Sequence, residues 1–262
     1  MTPPARLLPG LAKKDGFLSH PFDEAHGVRT SGLVAGRHLK SGHAHDRHAT
    51  AYYGVAPSVF HAQLNRWRKT RPATPIEQTT FVDIGAGMGR AVLLAAELPF
   101  RNVIGVELHP ALVRIARRNL AIWRTAGREH VSARIVECDA VDFAFPSGPC
   151  VAFLFNPFGS VVMRRWLRAM LRTFADRPGE LDILYVNNEQ EGVFEVQRSL
   201  QMRNRKRAES GSVSPSLVRL FLGPIKRSRA DREADTRILA NQPDGEYASA
   251  PHEDCSIWRW MA

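Results

Sequence analysis

Two hydrophobic rhythms alternate along the chain from residue 79 onward. Short unbroken apolar runs, Thr80–Ile84, Asn102–Glu107, Ala133–Cys138, Cys150–Phe155 and Leu181–Val186, read as strands buried on both faces. Between them, apolar residues recur at helical spacing. Arg90–Leu98 predicts a short helix stopped by Pro99, and Pro110 opens a longer one that places Leu112, Ile115, Ala116, Leu120 and Trp123 on one side. Val161–Phe174 buries Met163, Trp166, Leu167, Met170, Leu171 and Phe174, and a further helix is expected near Gly192–Leu200. Strands alternating with helices of this length specify βαβ units, whose right-handed crossovers put helices on both faces of a mainly parallel sheet. Ser216–Leu222 and Cys255–Trp260 predict late strands, an antiparallel pair that closes the sheet. The expected fold is therefore α/β: a doubly wound, mostly parallel seven-stranded sheet with helices on both faces, plus a mainly helical N-terminal extension.

That extension, residues 1–78, has its own character. Pro and Gly clusters and many His surround one helical stretch near 57–70, with Val59, Phe60, Leu64 and Trp67 on its apolar side. Pro72 and Pro75 then punctuate the chain. We expect 1–78 to cover a cofactor or substrate and 79–262 to form the ligand-binding domain, with a polar insertion near 223–252.

Composition narrows the classes. No apolar run in the 262 residues approaches the roughly 20 needed to span a bilayer. The start, Met1-Thr2-Pro3-Pro4-Ala5-Arg6, lacks the apolar segment of a signal peptide. A cytoplasmic protein without a membrane partner is expected. Cys138, Cys150 and Cys255 are too scattered for a zinc knuckle or a disulfide framework and read as small apolar fillers. The net charge of +10 is partly concentrated: residues 201–230 hold eight basic side chains, Arg203 to Arg229, against one acid, Glu209. Such a field suits nucleic acid or an acidic partner. A solvated Arg-rich surface is the favoured reading, because no aromatic residue interrupts 201–220 to stack on a base.

The candidate chemistry lies in Asp83-Ile84-Gly85-Ala86-Gly87-Met88-Gly89-Arg90. In a doubly wound sheet a ligand binds outside the carboxyl ends of the strands, so a Gly-rich turn after the first strand marks the site. Glu107, ending the next strand, is placed to accept from ribose hydroxyls. A nicotinamide dinucleotide would need glycine where Arg90 stands. The Asp83 carboxylate would also repel a pyrophosphate, whereas it suits a ligand with a positive sulfonium and a free amino group. The charge argument favours S-adenosyl-L-methionine.

These residues resemble the class I S-adenosylmethionine-dependent methyltransferases over roughly Thr79 to Leu200. Asp83–Gly89 is similar to that family's first motif and Val103–Glu107 to its second. Glu137-Cys138-Asp139-Ala140 is similar to the segment whose acid contacts the adenine amino group, with Cys138 where Gly is more usual. Phe153–Gly159 resembles the fourth motif, at the mouth of the transfer site. The resemblance implies cofactor-binding roles for Asp83, Gly85, Ala86, Gly87, Gly89, Glu107, Leu108, Asp139, Ala140 and Asn156, and catalytic roles for Asn156, Pro157 and Phe158. It implies methyl transfer to an unidentified acceptor, an amine of a protein lysine or a small molecule among the candidates. Asn156-Pro157-Phe158 lacks one proline of the Asn/Asp-Pro-Pro-Tyr/Phe signature of amino-group methyltransferases, and is loosely similar to the Asn-Phe segment of the non-SET histone-lysine enzymes. The alternative is a non-catalytic module of the same fold that binds nucleic acid or an acidic partner through 203–229.

Two histidine features complete the reading. His43, His45 and His48, with Asp46 or His38, are metal-ligating types, but their spacing matches no zinc pattern and reads as a solvated loop, so no metal is expected. His109 is expected to shape the edge of the cofactor pocket rather than act as a base.

Overall fold

The computed structural model describes residues 19–207, 215–240 and 250–262, with the side chains of 203–207 left aside. Its centre is one seven-stranded sheet built from β1 (Thr80–Ile84), β2 (Asn102–Glu107), β3 (Ala133–Glu137), β4 (Cys150–Phe155), β5 (Leu181–Val186), β6 (Ser216–Lys226) and β7 (His252–Met261), in the order β3-β2-β1-β4-β5-β7-β6. Neighbours from β3 to β5 are parallel, while β7 runs antiparallel to both β5 and β6. This is the expected doubly wound α/β fold. Every residue of β1 and β5 is buried, as strands covered by helices on both faces must be.

Helices α2 (Pro57–Lys69), α3 (Arg90–Ala96) and α4 (Pro110–Thr125) cover one face. Their aromatic side chains lock onto the sheet: Phe60 meets Phe153 edge-on at 5.5 Å and Trp67 stacks near Phe100 at 6.1 Å. Helices α5 (Ser160–Thr173) and α6 (Glu191–Arg207) cover the other, around Met163, Trp166, Phe194 and Trp258. A shorter helix, α1 (Pro21–His26), also lies in the N-terminal extension, outside the helical stretch expected near 57–70. Its buried Asp23 accepts from the amides and hydroxyls of Thr30 and Ser31, a local hydrogen-bonded turn rather than an apolar face.

The closing hairpin is longer than its apolar runs. β6 continues to Lys226 and β7 begins at His252, pairing through Lys226↔His252, beyond the expected Leu222 and Cys255. Within the predicted polar insertion, Arg229–Ala240 forms helix α7, while 241–249 fall outside the described residues. The helix is polar because its buried side includes Asp231 and Asp235. Asp231 accepts from the Ser58 amide at the start of α2, and Asp235 from the Tyr53 hydroxyl. Among the described residues no helix is long and apolar enough to cross a membrane.

Candidate active site

A cleft opens at the carboxyl ends of β1, β2, β3 and β4, and residues of the 39–55 strap form its other wall. Asp83, Gly85, Ala86, Gly87, Glu107, Leu108, Asp139, Ala140, Pro157 and Phe158 all line it. Gly89 and Asn156 do not.

The turn after β1 is shaped by glycine. Gly85 and Gly87 have φ of 75° and 56°, in the left-handed region. A Cβ on Gly85 would lie 2.4 Å from Pro157 Cβ, and one on Gly87 would lie 2.2 Å from the Tyr52 ring. The close approach these glycines permit is thus made by the protein itself, from the β4 turn and from the strap. Gly89 instead seats α3 on α4, facing Ala116.

The amides of this turn are committed. Gly85 and Ala86 both donate to Val106 O at 2.9 Å, Gly87 donates to Glu107 Oε2 at 2.8 Å, and Gly89 donates to Ala86 O at 2.8 Å. The Met88 amide faces the Tyr52 hydroxyl. A pyrophosphate would require such donors to be free. Here they brace an acid, since Glu107 also accepts from the His109 amide through Oε1 at 2.8 Å.

Asp83 presents the opposite situation. It is 3% exposed, faces the cleft, and receives no side-chain hydrogen bond from the described residues. Burial, reinforced by the Glu107 carboxylate, pushes its pKa up to about 8. Glu107 is also raised by burial, an effect opposed by the amides of His109, Gly87 and Leu108. Two carboxyl groups in a dry corner create a strong demand for a cationic or hydroxyl-bearing partner.

Asp139, rather than the exposed Asp142, is the acid that reaches the cleft from the end of β3. Its Oδ1 accepts from the Val141 amide at 2.7 Å, and its Oδ2 lies 2.5 Å from His45 Nδ1. The histidine loop is therefore docked rather than solvated: the His45 side chain is only 13% exposed. His109 caps α4, accepting from the Ala111 amide, and lines the cleft edge as expected.

The β4 turn departs from its expected use. Asn156 adopts φ of 40°, and its Oδ1 accepts from the Tyr185 hydroxyl at 3.4 Å, away from the cleft. Its backbone oxygen accepts from the Thr50 hydroxyl, and Pro157 O accepts from the Thr50 amide at 3.5 Å. With Ala49 bridging to Phe158 and Gly159 donating to His48 O, the strap lies along this turn like a short added strand. Asn156 holds the turn, whereas Pro157 and Phe158 face the cavity.

Arg90 is the functional residue that sequence reasoning undervalued. Buried at the start of α3, it donates to the hydroxyls of Thr30 (2.7 Å) and Ser31 (3.0 Å) and to the carbonyls of Gly54 (3.1 Å) and Val55 (3.3 Å). The only signal in the sequence was a charge in a position helices usually bury. The basic stretch 203–229 reads differently too. Arg219 pairs with Glu195, Arg227 with Asp235 and Glu253, and Arg229 with Glu233, so these cations are neutralised locally; Arg203, Arg205, Lys206 and Arg207 lie outside the described side chains.

No family model matches the chain, and no curated protein matches its sequence. Similar solved structures include the precorrin-6y C5,15-methyltransferase of Geobacter metallireducens (14% identity, 78% of this chain and 88% of that one, TM-score 0.45). They also include the 23S rRNA methyltransferase ErmE (14%, 76% and 68%, TM-score 0.42) and the cyclase SpnF (16%, 77% and 82%, TM-score 0.49). By name two of these are methyltransferases and one a cyclase.

Proposed function

We propose that this chain transfers a methyl group from S-adenosyl-L-methionine to an acceptor that enters beside Phe158. The observation that carries this reading is Asp83, a buried carboxyl without a donor, next to Glu107 and to a glycine turn whose amides are already spent. That corner rejects a pyrophosphate and attracts a ligand bearing a positive charge, an amino group and ribose hydroxyls. The cofactor supplies an electrophilic methyl on a sulfonium.

The protein's own contribution is placement. Glu107, fixed by two amides, keeps lone pairs for ribose hydroxyls. Asp139 Oδ1 retains one lone pair beside the Val141 amide for an exocyclic amine such as that of adenine. Leu108, Ala86 and Ala140 supply apolar wall around that end of the cleft. At the other end Phe153, Phe155, Pro157 and Phe158 form an apolar, largely aromatic surface. Of the two phenols lining the cleft, Tyr53 donates to Asp235 and Tyr52 to Thr30 O, and burial raises the pKa of both, so neither is a base at neutral pH. An acceptor that arrives neutral, such as an amine, suits this end, because in-line positioning then supplies much of the rate. Pro157 O, which keeps a second lone pair beside its long bond from the Thr50 amide, is the acceptor that can orient it, and Asn156 acts through the turn it holds. The strap at 39–55 serves as the cover.

The rival reading, a non-catalytic module working through the basic stretch, is disfavoured by the ion pairs that consume Arg219, Arg227 and Arg229. Calorimetric titration with S-adenosyl-L-methionine and, separately, NADH tests the proposal. Saturable binding of the first alone, lost in Asp83→Ala, is expected. Binding of NADH, or of neither ligand, overturns it.

A further inference from the structure

A second group of ligating side chains lies at the mouth of the cleft. His43 and His45 come from the strap and Asp139 from the end of β3, and one ligand atom of each lies within 4.8 Å of the others. The Asp139 side chain is 7% exposed, and the Val141 amide on Oδ1 turns Oδ2 toward the two imidazoles. His45 Nδ1 stands 2.5 Å from that oxygen and His43 Nδ1 3.3 Å from it. His43 Nδ1 also accepts from the His45 amide at 3.2 Å, so that nitrogen carries a lone pair, not a proton. One nitrogen of each imidazole and a carboxylate oxygen of Asp139 thus converge, and an ion bound there takes the His43 lone pair from the His45 amide. Asp46 is not a fourth ligand, since its carboxylate is taken by the Ser41 amide and hydroxyl and the Gly42 amide.

We propose that His43, His45 and Asp139 bind a divalent first-row transition-metal ion that clips the strap to the sheet. Two imidazole nitrogens and one carboxylate oxygen form a donor set suited to such ions, and three protein ligands leave a position open toward the cleft. The Val141 amide supplies the orienting contact that metal-ligating carboxylates commonly have. Arg165 opposes the ion. Its guanidinium lies 2.9 Å from His45 Nε2 and can only donate, so in the metal-free state Nε2 accepts and the His45 proton sits on Nδ1. Metal capture at Nδ1 moves that proton to Nε2 and releases the exposed Arg165 side chain to solvent, with no net change in protons. The site stands on its own geometry and does not depend on methyl transfer.

Calorimetric titration of the metal-free, untagged full chain with Zn²⁺ tests this, with Mg²⁺ as the hard-ion comparison. One Zn²⁺ per chain is expected, with affinity falling by about tenfold or more in each of His43→Ala, His45→Ala and Asp139→Asn. His48→Ala should bind as the parent does, and Arg165→Ala more tightly. The His43 side chain is 41% exposed, so His43→Ala should keep the parent's melting temperature in chelator, which separates lost binding from lost folding. Absence of saturable Zn²⁺ binding overturns the proposal. So does binding that survives both His43→Ala and Asp139→Asn, which would assign the ion to other histidines.

Discussion

Asp83, one residue before the end of β1, and Glu107, at the end of β2, lie on adjacent parallel strands, and the charge of Glu107 adds to burial in holding the Asp83 carboxyl near a pKa of about 8. At neutral pH that group is mostly protonated in the empty cleft. A cationic ligand requires it ionised. Affinity for S-adenosyl-L-methionine should therefore rise by up to about tenfold per pH unit from pH 6 and level off above about 8, with close to one proton released per ligand below the break. Calorimetry in buffers of different ionisation heat measures both quantities. A flat profile would exclude Asp83 as the group that meets the cation.

The same shift has a signature in stability. Between its ordinary value of 3.8 and about 8, the folded chain holds a proton on Asp83 that the unfolded chain has released. This contribution is present in full below the ordinary value and is lost as pH rises toward 8. Asp83→Asn, which cannot ionise, should melt above the parent at pH 8, and the gap should close toward pH 4. Scanning calorimetry across that range checks the sign.

Gly87 leaves no room for a Cβ against the Tyr52 ring, where the strap meets the glycine turn. Gly87→Ala adds a Cβ into the tyrosine ring at a φ of 56°, and should cost about 2–4 kcal/mol from strain and overpacking together. Pairing it with Tyr52→Ala should recover the steric part but not the backbone part, so the two changes should be non-additive by about 1 kcal/mol or more in denaturant titrations.

Arg90 holds the strap through the Gly54 and Val55 carbonyls and ties it to the Thr30 and Ser31 hydroxyls, and Lys cannot reproduce a planar fork that reaches all four. Arg90→Lys should speed amide exchange across 45–55 while leaving β1, β4 and β5 protected. Uniform protection throughout would show that the strap is held by other contacts.

Asp182 is buried between Arg259, at 2.6 and 3.0 Å, and the Trp67 indole at 2.6 Å. Asp182→Ala strands the buried guanidinium and should cost about 3–5 kcal/mol. The Arg124–Glu129 pair is a useful contrast: with the Arg124 side chain 60% exposed, Arg124→Ala should cost only a small fraction of that. Equal losses in the two variants would contradict this assignment of burial.

Much of the fold was legible because strand and helix periods report burial locally. The unbroken run Leu181–Val186 could only be a strand covered on both faces, and Met163, Trp166, Leu167 and Met170 could only share one side of a helix. The glycine turn and its flanking acids were legible for the same reason, since positive φ and a strand-end carboxylate follow from neighbouring residues. Three things were decided by tertiary structure. Helix α7 was hidden because its buried side is acidic, and only the Tyr53 hydroxyl and the Arg227 guanidinium make Asp235 a core residue. Asn156 left the cleft because its left-handed turn points the amide to Tyr185, 29 residues away. His45 met Asp139 across 94 residues. Sequence periodicity records which side of an element avoids water, but it carries no term for which distant polar group will satisfy a buried one. That choice is made only when the strap closes on the sheet.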